Sequence, residues 1–119
     1  MPWLQLFTNL PRSKVAAELP SKLAKIMSTN LEKPLDRIRI HIMPDEMVSF
    51  AGSTDPCAIM TVSSIGKITR EINERNTKDI MSLLSNELNI PQARQTIYFN
   101  DLRAENVGLD GKILAPPPQ

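Results

Sequence analysis

Apolar and polar positions follow two rhythms along the chain, and each change of rhythm marks an element. Trp3-Leu4-Gln5-Leu6-Phe7-Thr8 is a short apolar run with aromatic and branched character and no breaker, which predicts a buried strand. Asn9-Leu10-Pro11 punctuates the run, because Pro11 forces its predecessor out of helical geometry. Over residues 13–31, Val15, Leu19, Leu23, Ile26, Met27 and Leu31 share one helical stripe, with Lys14, Lys22, Lys25 and Ser28 opposite. Pro20 is tolerated only in a first turn, so the regular helix is expected from Glu18 or Leu19, after an irregular lead-in. Lys33-Pro34 ends it. Residues 37–43 alternate, with Ile38, Ile40 and Ile42 on one face and Arg37, Arg39 and His41 on the other, which predicts a second strand. Pro44-Asp45 stops that strand, and residues 46–56, with Gly52, Ser53, Thr54 and Asp55, read as a loop.

Residues 57–65 carry small and branched side chains on both faces, as an interior strand would. After Gly66 a second amphipathic helix is expected over residues 69–88, with Ile72, Ile80, Leu83, Leu84 and Leu88 inward and Arg70, Glu74, Lys78 and Asp79 outward. Asn89 and Pro91 close it, and residues 96–100 form the last clear strand. Residues 107–109 and 112–114 can supply only very short edge strands, and residues 115–119 read as a frayed polyproline-like tail. Strand, helix, strand therefore occurs twice. The fold class is α/β (α+β): two βαβ repeats forming a four-stranded mixed sheet with two helices on one face, in a single domain over residues 1–119. The sheet face away from the helices is expected to be apolar and to need cover from other subunits, so an oligomer is expected.

Composition narrows the function more by exclusion than by assignment. Lys and Arg total 14 against 13 Asp and Glu, and the basic residues are scattered, which argues against a nucleic-acid partner. No apolar stretch reaches membrane-spanning length, and the N-terminus lacks the basic head and apolar core of a signal peptide. Cys57, the single cysteine, has no internal disulfide partner and reads as a small core residue. His41 has no second His or Cys at ligand spacing, so no metal is expected.

The candidate chemistry is at the head of the chain. Initiator methionine is removed ahead of a small residue, so the mature chain is expected to begin at Pro2, with a free secondary amine. An amine heading a buried strand is pushed toward its neutral form, and a nearby cation pushes it further. A neutral amine near physiological pH is a general base. A chain can also begin Met-Pro for no chemical reason.

Further along, Asp55-Pro56-Cys57-Ala58, Val62, Ser64-Ile65-Gly66 and Ile68-Thr69 form a pattern that resembles the signature of the macrophage migration inhibitory factor family, which includes D-dopachrome tautomerase. Pro2, Thr8-Asn9-Leu10-Pro11, Lys33-Pro34, Pro44-Asp45 and Asn106-Val107-Gly108 fit the same pattern, so the resemblance covers almost the whole chain. It implies a homotrimer whose sheets enclose a central channel, with a site in each cleft between subunits and no cofactor. It implies keto–enol tautomerisation of phenylpyruvate- or dopachrome-like compounds, and cytokine-like signalling through the invariant chain of the class II histocompatibility complex. Pro2 is similar to the family's catalytic base, Lys33 to the lysine that binds the substrate carboxylate, and Ser64-Ile65 to the segment whose Ile65 amide donates to substrate. Without the resemblance, Lys33 is an ordinary solvated lysine complementing a helix C-terminus.

The chain departs from the best-studied members at the pocket wall. Thr96 and Tyr98 stand where those members carry a tyrosine and an asparagine, Arg37 replaces a second pocket tyrosine, and Leu109 stands in for a rim aromatic. Arg37 is either a bidentate partner for carboxylate or a solvated strand residue. Two readings follow: a tautomerase acting through Pro2, Lys33 and Ile65, and a secreted cytokine-like ligand whose pocket is a relic. The expected location is the cytoplasm and, by a non-classical route, outside the cell. Retention of Met1 would favour a third reading, a scaffold with neither activity, because an amide nitrogen is no base.

Overall fold

The structure is a computed structural model and describes residues 1–115; the expected polyproline-like tail lies, apart from Ala115, outside the described residues. Its regular elements are β1 (Trp3–Thr8), α1 (Leu19–Leu31), β2 (Arg39–Met43), β3 (Ala58–Ser64), α2 (Arg70–Leu88), β4 (Gln95–Asp101) and the two-residue strands β5 (Gly108–Leu109) and β6 (Lys112–Ile113). The main sheet has the order β2-β1-β3-β4. β1 is parallel to β2 and antiparallel to β3, while β3 is parallel to β4, so two βαβ units meet back to back at the β1–β3 pair.

The alternation of the strands decides which face is covered. Leu4 and Leu6 of β1 and Ala58, Met60 and Val62 of β3 are fully buried, and all face the helices. α1 meets them with Leu19, Leu23, Met27 and Leu31, one turn apart along a single stripe, and α2 with Ile80, Leu84 and Leu88. The α2 stripe also contains Asn76, which is fully buried where an apolar residue would be expected. Its Oδ1 accepts a 3.0 Å hydrogen bond from Asn30 Nδ2, which also donates to Asp79, so the two helices are joined by a polar contact as well as packing. No helix of the described residues is long and apolar enough to cross a membrane.

Several expectations change in detail. Arg37 closes a 3-10 turn, Leu35–Arg37, and β2 starts two residues later, because Pro34 turns the chain before the ladder with β1 can begin. β5 and β6 pair with each other and not with an edge of the main sheet. The sheet face away from the helices is mixed and not uniformly apolar. Its rows run Arg39–Trp3–Ser63–Asn100, His41–Gln5–Thr61–Tyr98 and Met43–Phe7–Ile59–Thr96.

The loop between β2 and β3 is held by three residues. Thr8 Oγ1 donates to the Cys57 carbonyl at 2.8 Å, and Asn9 pairs with the backbone of Thr54, Asp55 and Cys57. Arg94, at the end of the turn before β4, donates to the carbonyls of Phe50, Ser53, Asp55 and Pro56 at 3.0–3.1 Å and lies over the Phe50 ring. Arg94→Met is expected to cost about 2 kcal/mol, since charged hydrogen bonds are lost and carbonyls released. Urea unfolding would read that loss, and limited proteolysis should show faster cutting within residues 46–56. A variant as stable and as resistant as the parent would contradict the staple.

Candidate functional site

The central position of β1 puts the head of the chain at one end of the sheet, between two neighbours. The Pro2 carbonyl accepts from the Arg39 amide at 3.0 Å, and Pro2 is buried. Extending the register Trp3↔Ser63 by one residue sets Pro2 beside Ser64, at the end of β3. Ile65 follows, half-buried, one residue past the last paired position of β3.

The exit of α1 delivers the cation. Glu32 takes a left-handed conformation (φ 54°), the Lys33 amide reaches back to the Ser28 carbonyl at 3.2 Å, and Ser28 Oγ donates to the Lys33 carbonyl at 2.5 Å. Pro34 then fixes the direction of departure. The backbone of Lys33 is therefore fixed by hydrogen bonds on both its amide and its carbonyl, which sets where its side chain leaves the chain. Its acidic neighbour Glu32 is engaged elsewhere, with Lys67 at 2.9 Å, and that ammonium holds the Glu32 carboxyl below the usual carboxylate range.

Together these elements line a cleft of about 460 Å³. Met1 and Pro2 line it, with Lys33 and Arg37 as cations, Asp36 as an acid, and Ile65, Ala104, Leu109 and Leu114 as apolar lining. The α-amino group of Met1 is held below the ordinary value of a terminal amine, first by burial and then by Arg39, Lys33 and Arg37. Both causes favour the uncharged amine. With Met1 removed, the Pro2 nitrogen inherits the same cations and the more buried position.

Of the residues singled out in the sequence, Pro2, Lys33 and Ile65 converge on this cleft, and so do Arg37 and Leu109. Ser64 lies beside it. Its side chain is fully buried on the helix-facing side with Oγ unpaired, and its carbonyl accepts from the Leu102 amide at 2.8 Å. Thr96 and Tyr98 are elsewhere in the chain. They pair with Ile59 and Thr61, roughly 17 and 10 Å down the strand from the level of Pro2 and two strand spacings, about 10 Å, across. Asp36 and Leu114 were not anticipated. Asp36 could have been found from its place in the turn between Lys33 and Arg37, whereas nothing local in the sequence turns Leu114 back toward Pro2.

A βαβ–βαβ sheet whose first strand presents the chain's head to a cationic cleft defines a class of small proteins with an N-terminal site. Within that class, residues 1–115 match the family model described as macrophage migration inhibitory factor. The chain is 43% identical over 115 residues to macrophage migration inhibitory factor of Xenopus tropicalis, covering 97% of this chain and all of the relative. It is 37% identical to the mouse protein named D-dopachrome decarboxylase, covering 96% and 98%. The solved macrophage migration inhibitory factor of Trichinella spiralis superposes with a TM-score of 0.88 at 32% identity, covering 92% of this chain and 96% of that one. The chain belongs to the macrophage migration inhibitory factor family.

An amine whose folded value is depressed binds fewer protons than in the unfolded chain, so stability rises with pH between the folded and unfolded values. The stability is complete above the ordinary amine value and is lost as pH falls through the folded one. In protein retaining Met1, Lys33→Met and Arg39→Gln are each expected to raise the amine pKa toward its ordinary value and to flatten that dependence. NMR titration of the terminal residue reads the shift, and no shift in either variant would exclude Lys33 and Arg39 and leave burial and Arg37 as the causes.

Proposed function

We propose that the protein is a cofactor-free keto–enol tautomerase of small aromatic keto or enol acids, of phenylpyruvate or dopachrome type, working from Pro2 after Met1 is removed. The observation that carries the reading is the convergence of the chain head, Lys33 and Ile65 on one cleft, in a family that includes a relative named for D-dopachrome chemistry. The Pro2 nitrogen, neutral for the reasons given, takes a proton from the carbon alpha to the carbonyl. The electron pair of that C–H bond becomes the new C=C bond, the C=O π pair moves to the oxygen, and the oxygen takes a proton as Pro2 gives one up, which returns the base to its neutral form. No oxidant, reductant or metal enters the balance. Lys33 holds the substrate carboxylate and the Ile65 amide faces the oxygen that gains charge, so fixed donors act where charge develops.

The reading includes a homotrimer. Thr96 and Tyr98 are too far from Pro2 to serve their own chain's cleft, and a neighbouring copy would bring them to it. The outer edges of β2 and β4 offer unpaired backbone groups, which proteins cover or pair. The mixed open face suits the wall of a solvated channel better than a dry interface.

A second reading, a cytokine-like ligand acting outside the cell at a receptor such as the invariant chain, is favoured by the names of the relatives. The two need not exclude each other.

Pro2→Gly is expected to lower kcat for phenylpyruvate tautomerisation by about 10²–10⁴-fold, the usual contribution of a positioned base. Protein retaining Met1, confirmed by mass spectrometry, should be equally impaired. Lys33→Ala should raise KM about tenfold or more, since a charged hydrogen bond to substrate is lost. A Pro2→Gly variant as active as the parent would place the base elsewhere. An inactive parent that truly begins at Pro2 would favour the ligand reading.

A further inference from the structure

The two helix exits share a backbone and differ in the residue that carries it. α1 and α2 each end on a left-handed residue, Glu32 (φ 54°) and Asn89 (φ 56°), before Pro34 and Pro91 and a 3-10 turn closing in Arg37 and Arg94. Asparagine tolerates that conformation through its short polar side chain, whereas glutamate carries the full steric cost. Six non-glycine residues have positive φ among the described residues, and Asp45, Asn89 and Asp110 are of the tolerant kind. That leaves Glu32, Ala51 and Lys67 (φ 62°) in a conformation their side chains disfavour. Two of those residues are paired with each other: Lys67 Nζ lies 2.9 Å from Glu32 Oε2.

The pair joins the two segments that bring Lys33 and Ile65 to the cleft. Glu32 precedes Lys33, and Lys67 follows Ile65 by two residues. The other hydrogen bonds of each segment run within its own repeat. Lys33 is bonded back to Ser28 through amide and carbonyl. The turn after β3 is bonded to the end of β4, the Gly66 amide to Asp101 Oδ1 at 3.3 Å and the Ser64 carbonyl to the Leu102 amide at 2.8 Å. Among the described residues, Glu32–Lys67 is the one hydrogen bond or ion pair that joins residues 32–37 to residues 64–69. Both side chains are exposed, so the pair contributes little to global stability. Its leverage is local, on the distance between a cation and an amide that must meet one substrate, where small displacements cost rate.

We propose that Glu32 and Lys67 are positioning residues: their ion pair clasps the two segments together and sets the separation of the Lys33 ammonium from the Ile65 amide. The inference rests on the tautomerase reading and adds to it the residues that hold its two donors in register. Neither residue is assigned a contact with substrate, and the proton transfers are unchanged.

Charge and geometry give opposite signs for one variant. Glu32→Gly removes a carboxylate beside Lys33, which by charge alone would lower KM for an anionic substrate. It also relieves the left-handed position, so in urea the variant should be at least as stable as the parent. The clasp predicts instead that, in protein beginning at Pro2, kcat/KM for phenylpyruvate falls about threefold in Glu32→Gly and in Lys67→Met, and that the double variant is no worse than either. Lys67→Arg should restore most of the loss, and about 0.5 M salt should narrow the gap between parent and variants. An unchanged or higher kcat/KM in either single variant, or additive losses in the double, would overturn the inference and leave the tautomerase reading standing. If the parent does not turn over phenylpyruvate, that reading fails, and amide hydrogen exchange decides the clasp alone. Glu32→Gly should then speed exchange at Gly66, and Lys67→Met at Lys33, by about threefold, each on the segment that was not changed. An unchanged rate at either amide would overturn the clasp.

Discussion

Everything at the site follows from β1 being an interior strand. A first strand at a sheet edge would leave its terminal amine in water with an ordinary proton affinity. Here β1 is inserted between β2 and β3, so the chain's head is buried among backbone already committed to hydrogen bonds, with the cations of β2 and the α1 exit beside it. Desolvation and positive charge then act in the same direction on the Met1 amine, and removal of Met1 would give the Pro2 nitrogen the same neighbours. Proline adds a rigid ring and a secondary amine, which limit how far the nitrogen can wander from the cleft.

The internal repeat explains how that position could be furnished without disturbing the core. Both helices end in a left-handed residue, a proline and a turn closing in arginine, and the second copy of this exit is wholly structural: Ile90 fills the core and Arg94 ties down the loop ahead of β3. The first copy keeps the backbone and changes the side chains' duties. Rigid backbone with side chains released from structural work is what a preorganised electrostatic site needs.

Much of this was legible in the sequence. The period-two strand at Ile38, Ile40 and Ile42, the four-residue spacing of Leu19, Leu23, Met27 and Leu31, and Pro20 as a helix-start mark gave the two βαβ units, because burial on one face leaves a clear period. Pro2 was legible as candidate chemistry because residue type and place in the element coincided, whereas Lys33 was singled out only by the family resemblance. Other features were not. The mixed open face escaped because alternation shows that a strand has two faces and not what lies against the outer one. Asn76 escaped because a buried polar residue is recognisable only with its partner, here Asn30 on the other helix. The separation of Thr96 and Tyr98 from Pro2 depends on strand register, which depends on pairings far apart in the chain. Arg37 read equally well as a ligand or as a solvated residue until the turn that it closes placed it on the cleft.

The central claim is that a neutral amine at the head of β1 is the base. The direct measurement is to titrate the Pro2 nitrogen by NMR in protein that begins at Pro2, and to compare it with the acidic limb of the pH profile of kcat/KM. The account predicts a pKa below that of an ordinary N-terminal proline, matching the pH at which activity falls. An ordinary pKa, or an activity profile that ignores the titration, would contradict it.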